Sequence, residues 1–183
     1  MSDVVNDLNK TVVEPDWLKP DFNNIPDDLK KLPWGVWRAE PRLDKNANPT
    51  GKYNKAPRNP LTGIKIGANQ PEAFGTFEQA KKAYEDGGYT GVGVLLTGNG
   101  IIGMDLDNLP KLLKENPELK EWIESVVNSG LYCEISPSRN GLRSFTYGEI
   151  PEGCQKKKGG FEIYDRDRFL TVTGAVIEGD KND

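Results

Sequence analysis

Ile101-Ile102-Gly103-Met104-Asp105-Leu106-Asp107-Asn108 reads as an apolar strand that ends in two carboxylates spaced i, i+2. Side chains on a strand alternate between faces, so Asp105 and Asp107 share one side while Met104 and Leu106 turn to the core. Like charges side by side repel, and a divalent cation between them removes the repulsion by using their oxygens as ligands. The same letters also suit an acid-rich turn, because Asp-Leu-Asp-Asn shortly before Pro110 is good loop chemistry.

Upstream, Gly91–Thr97 (GVGVLLT) is a second short apolar strand, and Gly98-Asn99-Gly100 is a tight turn. Ile101–Asp107 is therefore expected to return as its hairpin partner. Downstream, Leu109–Val127 has mostly helical spacing interrupted by Asn116-Pro117, which predicts two helices or one broken helix. Thr76–Asp86 (TFEQAKKAYED) predicts a helix with Phe77, Ala80, Ala83 and Tyr84 on one face, Thr76 and Gln79 as a capping box, and Gly87-Gly88 as its stop. Strands are expected at Leu32–Arg38, Leu131–Ile135, Leu142–Tyr147, Phe161–Tyr164 and Phe169–Val172, with an exposed loop at Lys156–Gly160. Pro41–Gly67 reads as a long loop or loose hairpin. The fold class is α+β, mainly antiparallel hairpins covered by a few helices.

The chain has 183 residues, which suits one domain with an appended arm. Residues 1–32 form an acidic N-terminal arm broken at Pro15, Pro20 and Pro26; residues 33–177 form the folded domain; residues 178–183 form a polar tail. No apolar run approaches the ~20 residues of a membrane span, and the polar start is no secretory signal. Cys133 and Cys154 lack metal-ligand spacing and read as free thiols, so a reducing cytoplasm is the expected location.

Histidine is absent, which removes Ser-His-Asp and Cys-His chemistry and most zinc sites. Chemistry here must rest on carboxylates, Lys and Arg, hydroxyls, or a hard metal held by oxygen, for which Mg²⁺ or Mn²⁺ fits best. The net charge of −4 argues against a surface coated in positive potential. Basic residues are nonetheless localised: Lys52, Lys55, Arg58 and Lys65 occupy Gly51–Gln70 without an acid, which suits a phosphate-bearing ligand as well as a solvated loop.

Within Phe161-Glu162-Ile163-Tyr164, Glu162 lies opposite Phe161 and Ile163 and either joins Asp105 and Asp107 or faces solvent. Three carboxylates can hold two metal ions for in-line phosphoryl displacement. Ser136-Pro137-Ser138-Arg139-Asn140-Gly141-Leu142-Arg143 is either a phosphate cradle of backbone N–H groups and guanidinium forks or an ordinary hairpin connection. Arg168, among apolar neighbours, is expected to meet a phosphate or pair with Asp165 or Asp167.

Taken in order, WGVWRAE, GKYNKAPRNPLTG, GTFEQA, GMDLDN, EISPSRNGLR and FEIYDRDRFLTVTG resemble the primase-polymerase catalytic domain of the archaeo-eukaryotic primase superfamily, in its phage, plasmid and mobile-element versions. The resemblance runs from about Trp34 to Gly174. It implies an RRM-like core with a small α/β subdomain and an active site in the cleft between them. Carried over by residue, it makes Asp105, Asp107 and Glu162 the ligands of two Mg²⁺ or Mn²⁺ ions. Ser138, Arg143 and Arg168 would face the nucleotide phosphates, and Lys55 the nucleotide or template. The implied partners are single-stranded DNA template and primer, dNTPs or NTPs, and a helicase domain or protein. Many relatives have Gly where Arg139 stands and His where Arg143 stands. Arg143 can still bind phosphate, but Arg139 cannot adopt positive φ as freely as Gly. The expected activity is template-directed nucleotidyl transfer to a 3′ hydroxyl in DNA replication, lost in Asp105→Ala with the fold intact. The alternatives are an inactive replication-initiation or single-strand-binding module on the same fold, and a metal-dependent phosphodiesterase.

Overall fold

The computed structural model describes residues 15–177, so the first part of the acidic arm and the tail from 178 lie outside the described residues. The strands are β1 (Trp34–Trp37), β2 (Glu40–Leu43), β3 (Pro49–Asn54), β4 (Pro57–Arg58), β5 (Gly91–Thr97), β6 (Ile101–Asp107), β7 (Tyr132–Ile135), β8 (Gly141–Tyr147), β9 (Lys157–Lys158), β10 (Phe161–Tyr164) and β11 (Arg166–Val172). The helices are α1 (Asp27–Lys30), α2 (Phe77–Glu85), α3 (Leu109–Glu115) and α4 (Leu119–Asn128). This is an α+β fold in which the strands of every sheet pair antiparallel. One sheet runs β11-β5-β1-β4, a second runs β7-β8-β6-β10-β9, and β2 with β3 forms a separate hairpin.

The expected pairing of β5 with β6 does not occur. Val92, Val94, Leu95 and Leu96 are all buried, so β5 is covered on both faces and sits between β1 and β11. The turn, with Gly98 and Gly100 at positive φ, instead delivers the chain into the second sheet, where β6 is flanked by β8 and β10. The turn chemistry was legible; the partner on each edge was not. Lys156–Gly160 likewise carries the short edge strand β9 rather than loop alone.

Strand β6 organises both cores. Leu106 packs with Leu142 and Cys133 against Leu109, Leu112, Leu119, Ile123 and Val127 of the two helices. Helices α3 and α4 are separate, as Asn116-Pro117 requires. On the opposite face, Ile101 joins the larger core of Trp34, Val92, Val94, Leu96, Leu170 and Val172. Helix α2 adds Phe77 and Ala80 to that core. Its capping box is formed: Gln79 N donates to Thr76 Oγ1 (3.2 Å) and Thr76 N to Gln79 Oε1 (2.9 Å).

The arm is tied down where it is described. Leu18 N donates to Pro137 O (2.9 Å), Asp21 N donates to Thr173 O (2.7 Å), and Ile25, Leu29 and Leu32 are buried in the larger core. Trp17 meets Trp37 and Tyr53 edge-on.

Read along the face that looks at the first sheet, β6 runs Ile101, Gly103, Asp105, Asp107. It passes from a packed core to an open, acidic end. At Gly103 the two sheets approach so closely that a Cβ would press on Leu170 and Leu96. Gly103→Ala should therefore overpack the interface and cost about 1–3 kcal/mol. Thermal melts should show a fall of about 2–4 °C per kcal/mol at this chain length, and an unchanged midpoint would contradict the close approach.

Candidate active site

The register of the second sheet places five charged residues in one row. Glu134 lies opposite Arg143, Arg143 opposite Asp105, Asp105 opposite Glu162, and Glu162 opposite Lys157. Asp105 and Arg143 are only 5% and 4% exposed. Arg143 Nε stands 3.1 Å from Asp105 Oδ1, but the two are not aligned as a hydrogen bond. Both atoms are thus buried with a charge contact and no hydrogen-bond partner. Arg143 Nη1 donates to Thr171 O (3.0 Å) and to Thr171 Oγ1, which moors it to β11 of the other sheet.

Beyond this pair lies a cavity of about 560 Å³, lined among others by Lys55, Asp105, Asp107, Arg143, Arg168 and Thr171. Burial, helped by the neighbouring Asp105 and Glu162 charges, pushes the Asp107 carboxyl up; Arg143 and Lys55 act against that rise. Burial and the Arg143 charge lower Lys55 to about 8, opposed by Asp107 and Asp105. Its Nζ stands 5.3 Å from the Trp17 ring centre and 5.8 Å from that of Trp37. Of the other basic residues in Gly51–Gln70, Arg58 and Lys65 both pair with Glu40 at 2.6 Å, which neutralises much of that charge. A second cavity of about 560 Å³ shares Arg42, Tyr53, Lys55 and Asp107 with the first, and is also lined by Trp17, Lys52, Ser138 and Asn140.

Asp105, Asp107, Arg143, Arg168 and Lys55 therefore surround one cavity, while Ser138 lies in the adjoining one. Glu162 is the neighbour of Asp105 in register but is committed elsewhere. Lys157 Nζ, Tyr164 OH and Arg168 Nη2 each donate to it at 2.8 Å. Burial works against its ionisation, yet these partners outweigh burial and hold the carboxyl below its usual range. Arg168 pairs with Glu162 and lies 4.4 Å over the Tyr164 ring; it pairs with neither Asp165 nor Asp167. Asp165 meets Arg166 and Lys156 instead. Arg139 does take the left-handed conformation that Gly would adopt freely, at φ 60°.

Among the described residues, no three of His, Cys, Asp and Glu stand together in a way that could hold a metal ion. The donor chemistry of Asp105 and Asp107 nonetheless suits a hard cation: two carboxylates on one face of β6 whose like charges help to raise Asp107, although the buried Asp105 Oδ1 already faces the Arg143 guanidinium. Glu162 would have to exchange its present partners to join them.

Sequence reading missed Glu134, which is fully buried, and Asp167, which a bulge in β11 brings to the cavity wall at φ 53°. Glu134 sat in a strand as an apparently ordinary polar residue. The run Asp165-Arg166-Asp167-Arg168 was visible, but nothing local marked the bulge.

No family model matches the chain. The chain is related to the phage-type primase-polymerases, which bears out the resemblance carried by its motifs. One relative is the DNA primase-polymerase of Nitratiruptor phage NrS-1, 30% identical over a 154-residue alignment that covers 80% of this chain. The chain spans 20% of that protein's length.

An anion bound in this cavity should feel the protonation state of Lys55. Its value of about 8 lies below the ordinary 10.5, so it is charged below about pH 8 and loses its proton above. Inorganic triphosphate binding, followed by quenching of the Trp17 and Trp37 fluorescence, should weaken as pH rises through 8. Lys55→Arg should flatten that dependence, because guanidinium stays charged. A slope that persists in the Arg variant would assign the titration to another group.

Proposed function

We propose that this domain performs metal-dependent, template-directed nucleotidyl transfer to a 3′ hydroxyl, with Mg²⁺ or Mn²⁺ as the metal. The observation that carries the reading is the pair Asp105 and Asp107 at the open end of β6, in a cavity that also holds Lys55, Arg143 and Arg168. The similarity to a phage DNA primase-polymerase supports it. Bound there, two such ions would supply activation of the attacking oxygen at one and stabilisation of the leaving oxygen at the other.

The chain's own residues divide the remaining work. Asp105 and Asp107 would hold the cation, with Glu162 as the further carboxylate once released by Lys157 and Arg168. Lys55 and Arg168 supply positive charge for phosphate oxygens, and Arg168 keeps a buried Nε without a hydrogen-bond partner. Arg143 serves Asp105 first, since its Nε and Nη1 are already engaged. The second cavity combines Lys52 and Arg42 with Trp17 and Tyr53, the cationic and aromatic mixture on which single-stranded nucleic acid stacks. The substrates are accordingly dNTPs or NTPs with a DNA template and primer.

One observation favours a second reading, a strand-binding module without catalysis: Glu162 and Arg143 are both already held by protein partners.

Primer extension on single-stranded DNA separates the two, with Mg²⁺ or Mn²⁺ and with dNTPs and NTPs supplied separately. Asp107→Ala is the better variant, because Asp105→Ala would leave Arg143 buried without its partner at a cost of about 3–5 kcal/mol. This revises the expectation that Asp105→Ala spares the fold. Extension by the wild type, reduced at least about 100-fold in Asp107→Ala, is the expected result. Wild-type rates in that variant would refute the reading, and strand binding without extension would establish the second.

A further inference from the structure

At the end of β11 the chain leaves one sheet for the other. Thr171 and Val172 pair with β5. A few residues later the chain runs beside β7: Ile135 N donates to Ala175 O (2.9 Å), Ile177 N donates to Cys133 O (2.8 Å), and Val176 bridges Glu134. Thr173 and Gly174 lie at the crossing, past the last strand pairing of β11, and their N–H groups turn to a side chain. Thr173 N donates to Glu134 Oε1 (3.1 Å) and Oε2 (3.0 Å), and Gly174 N to Oε2 (2.8 Å). Tyr132 OH donates to the same Oε2 at 2.6 Å. Every group within hydrogen-bond reach of this carboxylate is a donor, which is the environment a buried carboxylate needs.

Glu134 also stands directly across from Arg143 on one face of the sheet, as Arg143 stands across from Asp105. The charges alternate negative, positive, negative, and all three residues are buried. The guanidinium is moored at Thr171, two residues before the first N–H that Glu134 holds. One carboxylate pins the crossover, the guanidinium is tied to that crossover, and the second carboxylate rests against the guanidinium.

We infer that Glu134 is a positioning residue of the active site: it fixes the Thr171–Gly174 crossover and thereby holds the Arg143 guanidinium against Asp105. The kinetic half of this inference rests on the nucleotidyl-transfer reading; the geometric half does not. A latch that only stabilised the fold would lower the melting temperature and leave Arg143 in place.

Glu134→Gln keeps the shape but replaces one oxygen with an amide that cannot accept from N–H. The measurement is solvent exchange of the Arg143 Nε–H proton by NMR on the full chain, with kcat and KM for primer extension at a temperature well below both melting points. The expected result is exchange at least tenfold faster in Glu134→Gln, with kcat at least tenfold lower and KM for primer-template unchanged. An unchanged Arg143 exchange rate overturns the inference whatever the activity does, as does an unchanged kcat in a variant of lowered stability. If Arg143 exchange rises but the wild type extends no primer, the positioning role stands and the nucleotidyl-transfer reading fails. Should Glu134→Gln not fold, Tyr132→Phe removes one donor and keeps the ring. It should then raise Arg143 exchange at least threefold, and no rise would overturn the inference.

Discussion

Arg143 ties the two sheets together at the point where the cleft begins: it lies against Asp105 within the second sheet and donates to Thr171 of the first, and the geometry of the cleft depends on it. At 3.1 Å, with an effective dielectric near 20, the attraction is about 5 kcal/mol. Removing two charges from water costs several kcal/mol per ion, so the pair adds little net stability. Its effect is directional. Arg143 reaches Thr171 in β11 with one nitrogen while another faces Asp105, so the position of a carboxylate in the second sheet is referred to the backbone of the first.

The pair is held in place by a gradient along one strand. On its sheet-facing side β6 passes from Ile101 in the core, through Gly103 where the sheets nearly touch, to Asp105 and then Asp107. The packed end sets the separation of the sheets, and the acidic end lets them part into two adjoining cavities. The described part of the arm closes the same region, since Asp21 bonds to Thr173 and Trp17 stands beside Lys55. Electrostatics follow from the shape: a half-enclosed cleft both raises Asp107 and lowers Lys55, because burial penalises either charge.

Features encoded within a few residues are legible in the sequence alone. The capping box of α2, the break at Asn116-Pro117, the strand Phe161–Tyr164 and the shared face of Asp105 and Asp107 all depend on local spacing. The positive φ of Arg139 was not legible in the same way, because Arg takes that conformation less freely than Gly and nothing local required it. What depends on distant partners was not legible. β5 and β6 look like a hairpin because the turn between them is short, but burial on both faces sends each to other partners. Glu134 looks like one polar residue in a strand, yet the N–H groups that need it lie about forty residues downstream. The engagement of Glu162 by Lys157 required knowing that Lys157–Lys158 pairs with β10.

The proposed chemistry requires Asp105 and Asp107 to act together on a hard cation. Electron paramagnetic resonance of Mn²⁺ titrated into the full chain tests that without reference to turnover. Wild-type protein should deplete the free Mn²⁺ signal saturably, and Asp107→Asn should weaken that binding at least tenfold while melting normally. Equal Mn²⁺ binding by wild type and Asp107→Asn would contradict the site.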